Sequence, residues 1–297
     1  TTTSFDALWA MMSYMLFPIV FLRFLGIRVP YLLTLQEGDP WQKMFSRWFI
    51  LPFRPLLSIG FKNASAVQAI STYLAEWAHR MGYRGAVHVI PNGVDIVRFA
   101  TVKHRVFDTV KHTMLVTTSR LVHKNAIDEV IRALAFLPDT VHFLIYGIGP
   151  DESTLKSLAK RLGVERRVTF KGHIDHSELP RALDECDIFI RPSRSEGMGN
   201  SFIEAMAAEL PVIATQEGGI ADFLFDAKRN PDKETTGWAV DADSPEQIAA
   251  AVQDILAHPE QVVRVKAAAK KLVVEKYDWI LSARKMRALF DRVLESQ

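Results

Sequence analysis

Two carboxylates, Glu196 and Glu204, stand seven residues apart around a glycine-containing turn in the run Arg191-Pro192-Ser193-Arg194-Ser195-Glu196-Gly197-Met198-Gly199-Asn200-Ser201-Phe202-Ile203-Glu204. An apolar strand-like run precedes this segment and a helical pattern follows it. The backbone amides of Gly197, Met198, Gly199, Asn200 and Ser201 can therefore face an anion or the oxygens of a sugar. Glycine lets backbone approach a ligand closely. A structural role competes for Glu204, because Ser201-Phe202-Ile203-Glu204 also reads as a capping box in which the carboxylate bonds its own helix start.

A second candidate group is Ser119-Arg120-Leu121-Val122-His123-Lys124-Asn125, directly after another strand-like run. Arg120 offers a fork of donors and Lys124 a compact charge, a combination suited to a diphosphate and to the charge it gains on leaving. Solvated loop charges are the plain alternative. Tyr146-Gly147-Ile148-Gly149-Pro150 superficially resembles a dinucleotide fingerprint, but Glu152 stands where the third glycine would be, which disfavours NAD. Asp241-Ala242-Asp243 has the look of a metal-holding aspartate pair. The Ser244-Pro245-Glu246-Gln247 that follows reads as a helix start, so the pair is assigned to a turn and no metal site is expected.

Positioning these groups requires strands that all end on one side. Apolar runs at 5–10, 30–35, 66–70 and 87–90 alternate with helical patterns reaching residue 25, over 45–61 and over 72–81. A polar, basic stretch up to residue 112 then separates a second series, with strands at 114–118, 142–146, 168–171, 188–191, 212–215 and 237–240. Helical patterns lie between them at 126–136, 152–162, 178–184, 200–208, 219–225 and 245–257, and the tail predicts a helix over 279–294. Alternation of this kind is the signature of parallel sheets with crossover helices, whose ligands bind beyond the carboxyl ends of the strands.

Bulk properties agree with an α/β protein of two domains. The chain has 297 residues, 48% of them hydrophobic, and 36 basic against 34 acidic groups give a net charge of +2, which excludes a nucleic-acid binder of the strongly basic kind. The single cysteine, Cys186, forms no internal disulfide and reads as a small buried residue. Residues 7–25 are apolar over about the length of a membrane span, yet Ser13, Pro18 and Arg23 interrupt them, which favours a buried strand and helix. The aromatic and basic mixture in Trp41-Gln42-Lys43-Met44-Phe45-Ser46-Arg47-Trp48-Phe49 fits either a helix packed on the sheet or a surface that meets a membrane.

Taken together the segments resemble the GT-B glycosyltransferases of family 4, in the order Pro91-Asn92-Gly93-Val94-Asp95, Arg120 with Lys124, Gly147-Ile148-Gly149-Pro150, Lys171-Gly172-His173-Ile174, the Glu196 to Glu204 element, and Leu210-Pro211-Val212-Ile213. The resemblance implies two doubly wound Rossmann-like domains, with a partial acceptor-side domain at 1–97 and a nucleotide-sugar-binding domain at 98–276. A last helix at 277–297 would cross back to the first. It implies retaining transfer of a sugar from a nucleoside-diphosphate sugar to a glycan or lipid-linked hydroxyl, without metal or other cofactor. By the same resemblance Arg120 and Lys124 would hold the diphosphate, Glu196 the sugar hydroxyls and Glu204 the ribose. His173 and Ile174 would lie near the base through backbone atoms.

Two departures from the family pattern stand out. The glycine-rich loop expected after the first strand has no counterpart after Thr1, so the first domain is expected to be incomplete. Either self-association through the N-terminal half or a nucleotide-sugar-binding module needing a further segment is then an alternative outcome. Gln36 also occupies the place where many relatives carry a histidine; with Glu37 it is the candidate on the acceptor side. A cytoplasmic location, peripheral at the inner face of a membrane, completes the expectation.

Overall fold

A computed structural model describes residues 5–99 and 112–295; the basic stretch between the two series falls largely outside them. The chain divides into two compact units, one formed by residues 1–93, 196–198 and 279–297, the other by 94–195 and 199–278.

In chain order the first series is β1 (Leu8–Met11), α1 (Leu16–Phe24), β2 (Tyr31–Leu35), α2 (Trp41–Phe45), α3 (Arg54–Lys62), β3 (Ala66–Ala69), α4 (Thr72–Arg80) and β4 (Val87–Val89). The four strands form a parallel sheet in the order β1-β2-β3-β4. Every residue of β2 and β3 is buried, as expected of parallel strands covered on both faces. Polar groups inside this sheet are paired: Trp9 Nε1 donates to Thr34 Oγ1 at 2.8 Å and Gln68 Nε2 to the Ile90 carbonyl at 2.5 Å. Ser71 caps α4, its Oγ accepting from the Leu74 amide at 3.3 Å, and α4 buries Leu74, Trp77 and Ala78.

The helical pattern expected over 45–61 is interrupted. Pro52 and Pro55 have no amide to donate, so the chain turns after α2 and restarts at α3 with Pro55 in the first turn, where its lack of an amide is harmless. The apolar stretch at 7–25 is likewise a short strand followed by a nine-residue helix. Among the described residues no helix is long and apolar enough to cross a membrane.

The second unit contains α5 (Ile96–Phe99), β5 (Thr113–Thr118), α6 (Ile127–Ala133), β6 (Val141–Tyr146), α7 (Glu152–Arg161), β7 (Val168–Gly172), α8 (Leu179–Asp184), β8 (Ile188–Arg191), α9 (Asn200–Ala207), β9 (Val212–Ala214), β10 (Trp238–Ala239), α10 (Pro245–Ala257) and α11 (Pro259–Lys276). Its six strands are all parallel, in the order β10-β9-β8-β5-β6-β7. The pattern at 219–225 gives only a short 3-10 turn at Gly218–Asp222, since its two glycines hold no helix. The last helix, α12 (Trp279–Glu295), packs on the first unit: Leu289 and Val293 join Leu32, Ala66 and Ile90 in one core, and Phe290 meets Trp9 edge-on at 5.2 Å.

Tyr31 gives this architecture a measurable alkaline limit. Its hydroxyl is buried, donates to the Gly60 carbonyl at 2.5 Å, and burial pushes its pKa up to about 12. Between an unfolded value near ~10 and that folded value the unfolded chain has lost the proton while the folded one keeps it, so stability falls as pH rises. The expected loss is up to roughly 2 to 3 kcal/mol by pH ~12. Thermal melts of wild type and Tyr31→Phe across this range check it: the phenylalanine variant should show a smaller alkaline decline, and equal declines would refute the assignment.

Candidate functional site

Strand order marks where the second unit would hold a ligand. From β5 the chain winds outward through β6 and β7, then returns to β8 on the other side of β5 and winds away through β9 and β10. The loops after β5 and β8 therefore flank the switch point, the crevice where doubly wound sheets bind their ligands. The first is the loop of Arg120 and Lys124; the second contains Ser193, Arg194 and the residues leading to α9.

Backbone bonds fix the floor of this crevice. Leu121 N donates to the Ile148 carbonyl at 3.1 Å, Asp151 N to the Leu121 carbonyl at 3.1 Å, and Gly147 N to the Gly172 carbonyl at 2.7 Å. The loops after β5, β6 and β7 are thus laced together. Gly147 has φ +143°, and a Cβ there would lie 1.8 Å from the Ser119 carbonyl oxygen, while one on Gly149 would lie 2.2 Å from that of Leu121. Both glycines are required by backbone against backbone, immediately beside Arg120.

Arg194 joins the two flanking loops. Its amide donates to the Lys124 carbonyl at 2.8 Å. Its guanidinium donates to the His123 carbonyl at 2.6 Å, to both oxygens of Asp128 at 2.9 Å, to Glu129 Oε1 at 3.1 Å and to Asp243 Oδ1 at 2.6 Å. Burial opposes the charge on Arg194, but hydrogen bonds to Asp128 and Asp243 outweigh it and raise its pKa. Asp128 is desolvated as well, yet Arg194 holds it below the ordinary carboxylate value; Glu129 shifts upward, through burial and the charge of Asp128. Sequence reasoning assigned Arg194 no role, and its partners lie 49 to 71 residues away.

A second buried cation lies beneath the start of α9. Arg191 Nη1 donates to Ser201 Oγ at 2.9 Å, and its guanidinium stacks 4.1 Å from the Phe202 ring centre. An arginine ending the buried strand Ile188-Phe189-Ile190 was the available signal. Gly199 is the N-cap of α9, with φ +86°, and neither Gly199 nor Ser201 supplies a side-chain cap. The capping box left open by the sequence is not formed: Ser201 lies inside the helix and accepts from Arg191.

Glu204 instead meets His176 Nε2 at 3.0 Å, while His176 Nδ1 lies 3.1 Å from Arg98 Nη1. The Nε2-protonated tautomer satisfies both contacts, accepting from arginine and donating to carboxylate. His173 and Ile174 form the turn directly after β7, with the His173 side chain exposed and 3.5 Å from Asp175. Arg120 is exposed and Lys124 half-buried.

Glu196, Gly197 and Met198 belong to the first unit. Gly197 and Met198 are buried, and Glu196 Oε1 accepts from the Gly197 amide at 3.0 Å. In the same unit Gln36 lines a cavity of about 260 Å³ with Trp9, Thr34, Gln68, Trp279 and Ser282. Glu37 is in the interior, accepting from the amide and hydroxyl of Ser13 at 2.6 and 2.5 Å and from the Gln36 amide at 2.9 Å. That carboxylate ties β2 to the turn before α1.

The Asp241 and Asp243 pair is a turn, as its sequence indicated. Asp243 has φ +55°, and Gln247 exchanges two hydrogen bonds with Asp241 at 2.9 and 2.8 Å.

Comparison with known proteins adds relatives to this geometry. Residues 103–272 match the family described as Glycosyl transferases group 1, and residues 4–98 match Glycosyltransferase Family 4. A GDP-mannose-dependent alpha-(1-6)-phosphatidylinositol monomannoside mannosyltransferase of Mycolicibacterium smegmatis is 32% identical over 253 residues, covering 78% of this chain and 64% of that protein. A putative teichuronic acid biosynthesis glycosyltransferase, TuaC of Bacillus subtilis, is 30% identical over 66% of this chain and 49% of its own length. The chain thus spans less than two thirds of these relatives. Among solved structures, Anabaena HepE in complex with UDP and glucose superposes with a TM-score of 0.82 at 19% identity, over 97% of this chain and 78% of that one. Sucrose-phosphate synthase of Thermosynechococcus elongatus gives 0.82 at 21% identity, over 99% and 75%.

Proposed function

Because this chain belongs to the glycosyl transferases group 1 family and has the GT-B fold, we propose that it carries out a retaining, metal-independent transfer of a sugar from a nucleoside-diphosphate sugar to an acceptor hydroxyl. The observation that carries this reading is the switch-point crevice of the second unit, where the loop of Arg120 and Lys124 is bound through Arg194 to the loop that leads into α9.

In this proposal the diphosphate lies over the amides at the start of α9, where the helix terminus and the buried Arg191 favour negative charge. Arg120 and Lys124 contact its oxygens and meet the charge that grows as the bond from the sugar C1 to the leaving phosphate breaks. The acceptor oxygen forms its new bond to C1 on the same face and its proton passes to the leaving phosphate, so atoms and charge balance without a protein nucleophile. Stabilising charge where it develops is usually the largest catalytic contribution. Glu196 bonds the sugar hydroxyls, Glu204 the ribose with His176 orienting its carboxylate, and the turn at His173 and Ile174 lies by the base. Gln36, on its cavity, is the acceptor-side group; the buried contacts of Glu37 make it a support for that loop. The acceptor is a glycan or a lipid-linked sugar, and the location is cytoplasmic and peripheral at the inner face of a membrane.

Binding of GDP-mannose, UDP-glucose and ADP-glucose, followed by NMR of any glycosylated product, tests the reading. Retention of the donor's anomeric configuration is expected, with unchanged rates after chelation of divalent ions. An inverted product, or dependence on added metal, would overturn the mechanism; tight binding without transfer would leave a donor-binding module.

A further inference from the structure

The first unit presents one apolar face that its own packing does not explain. α1 buries Leu16, Ile19 and Val20, and Leu16 and Val20 pack against Gly60 of α3. The opposite side of α1 is apolar too: Phe21 is 63% exposed and Phe24 68% exposed. A helix between a core and water carries polar residues on its outer side. α4 does so, with Glu76 and Arg80 outward and ion-paired at 3.3 Å. α1 does not.

The face continues across α3 and the turn ahead of it. Phe17 of α1 meets Phe53 edge-on at 6.1 Å, Phe53 is half exposed, and Trp48, 83% exposed, lies against Phe49. The Tyr14 hydroxyl donates to the Met44 carbonyl at 2.5 Å, fixing α2 and this turn beside the start of α1. Proline at positions 52 and 55 stiffens the segment that holds these rings.

Charge decides what such a face fits. Arg23, Arg28, Arg47, Arg54 and Lys62 belong to the same stretches of chain as the exposed rings, while neither 7–36 nor 40–75 contains an aspartate or glutamate. Arg47 and Arg54 lie 5.8 and 5.5 Å from the Phe49 and Trp41 ring centres. A second copy meeting this face about a two-fold axis would set arginine against arginine, and the two carboxylates between these stretches, Glu37 and Asp39, are already engaged by Ser13 and Lys43. An anionic bilayer complements both features, since its headgroups take the cations and its interface takes tryptophan and phenylalanine.

We propose that the face formed by α1, the turn at residues 46–53 and α3 docks on an anionic lipid bilayer, with Trp48, Phe49, Phe21 and Phe24 entering the interface and the arginines meeting lipid phosphate. The proposal deepens the peripheral position named above and does not depend on the transfer chemistry, because it concerns lipid without donor.

The test is sedimentation of the full chain with vesicles of phosphatidylcholine alone and of phosphatidylcholine with phosphatidylglycerol. Partition should favour the anionic vesicles by roughly tenfold or more and decline with salt. Arg47→Glu with Arg54→Glu should abolish that preference, again roughly tenfold or more. Trp48→Ser with Phe49→Ser should weaken binding to both vesicle types at unchanged melting temperature. Should that pair unfold the protein, the arginine pair decides, and Arg47→Glu by itself, on an exposed side chain, is the variant that leaves packing intact. Failure of the wild type to bind, or equal partition to both vesicles, overturns the proposal. So does a concentration-dependent dimer that dissociates on the same substitutions without vesicle binding. Vesicle binding without donor binding would count against the proposed reaction and leave this surface standing.

Discussion

Replacing Arg194 by alanine is expected to lower stability by about 3 to 5 kcal/mol, the cost of stranding buried charge partners when one member of a network is removed. Glu129 is nearly buried and the Asp128 side chain three-quarters covered, so neither regains full hydration when the guanidinium is lost. Asp243 is 61% exposed, and Asp243→Asn should cost less than about 1 kcal/mol. Arg194→Lys should fall between, because one ammonium cannot span Asp128, Glu129 and the His123 carbonyl at once. Denaturant unfolding of the three variants gives the order. Near-equal stabilities would mean that water already satisfies the cluster. The same substitution should weaken nucleoside-diphosphate binding more than nucleoside binding in the fraction that remains folded, since the His123 carbonyl, next to Lys124, loses its anchor.

Much of the scaffold for that cluster was legible beforehand, and the reason is physical. Strands buried on both faces leave unbroken apolar runs, so β2, β5, β6 and β8 appear in the sequence within a residue or so of their observed limits. Loops after parallel strands must share one edge, which is why Arg120, Gly147, His173 and Gly199 could be grouped without coordinates. Partners far apart in sequence leave no such trace. The contact of His176 with Glu204 joins residues 28 apart, and no local pattern distinguishes it from the capping box that the Ser201 spacing suggested.

Glu37 and Trp48 mark two further limits. A carboxylate in a polar turn reads as exposed, yet Glu37 is 1% exposed because the Ser13 amide and hydroxyl reach it from 24 residues away. Trp48 shows the other direction: the aromatic and basic run from Trp41 to Phe49 fits a packed helix or an exposed surface equally, and the structure buries Phe45 while leaving Trp48 83% exposed. In both cases side-chain chemistry gave the capacity for contact, while tertiary placement chose which contact formed.

The crevice itself is best probed at the two proposed diphosphate cations. Arg120→Ala and Lys124→Ala are each expected to reduce affinity for a nucleoside diphosphate by about 1.5 to 3 kcal/mol, roughly 10- to 150-fold, the range for hydrogen bonds to charged groups. Binding of the corresponding nucleoside, which has no phosphate, should change less than about twofold. Arg120→Lys should recover part of the loss, because a point charge replaces the fork without its paired geometry. If both cations touch the same diphosphate the double variant should lose less than the sum of the single losses, whereas independent sites would add. Calorimetric titration of the wild type and the four variants with diphosphate and nucleoside reads all of these terms. Equal losses for the two ligands would remove Arg120 and Lys124 from the phosphate role and leave them as solvated charges on a loop whose position Arg194 sets for another reason. Loss of diphosphate binding in the single variants with melting temperatures unchanged would separate contact from folding, because exposed Arg120 contributes no core packing.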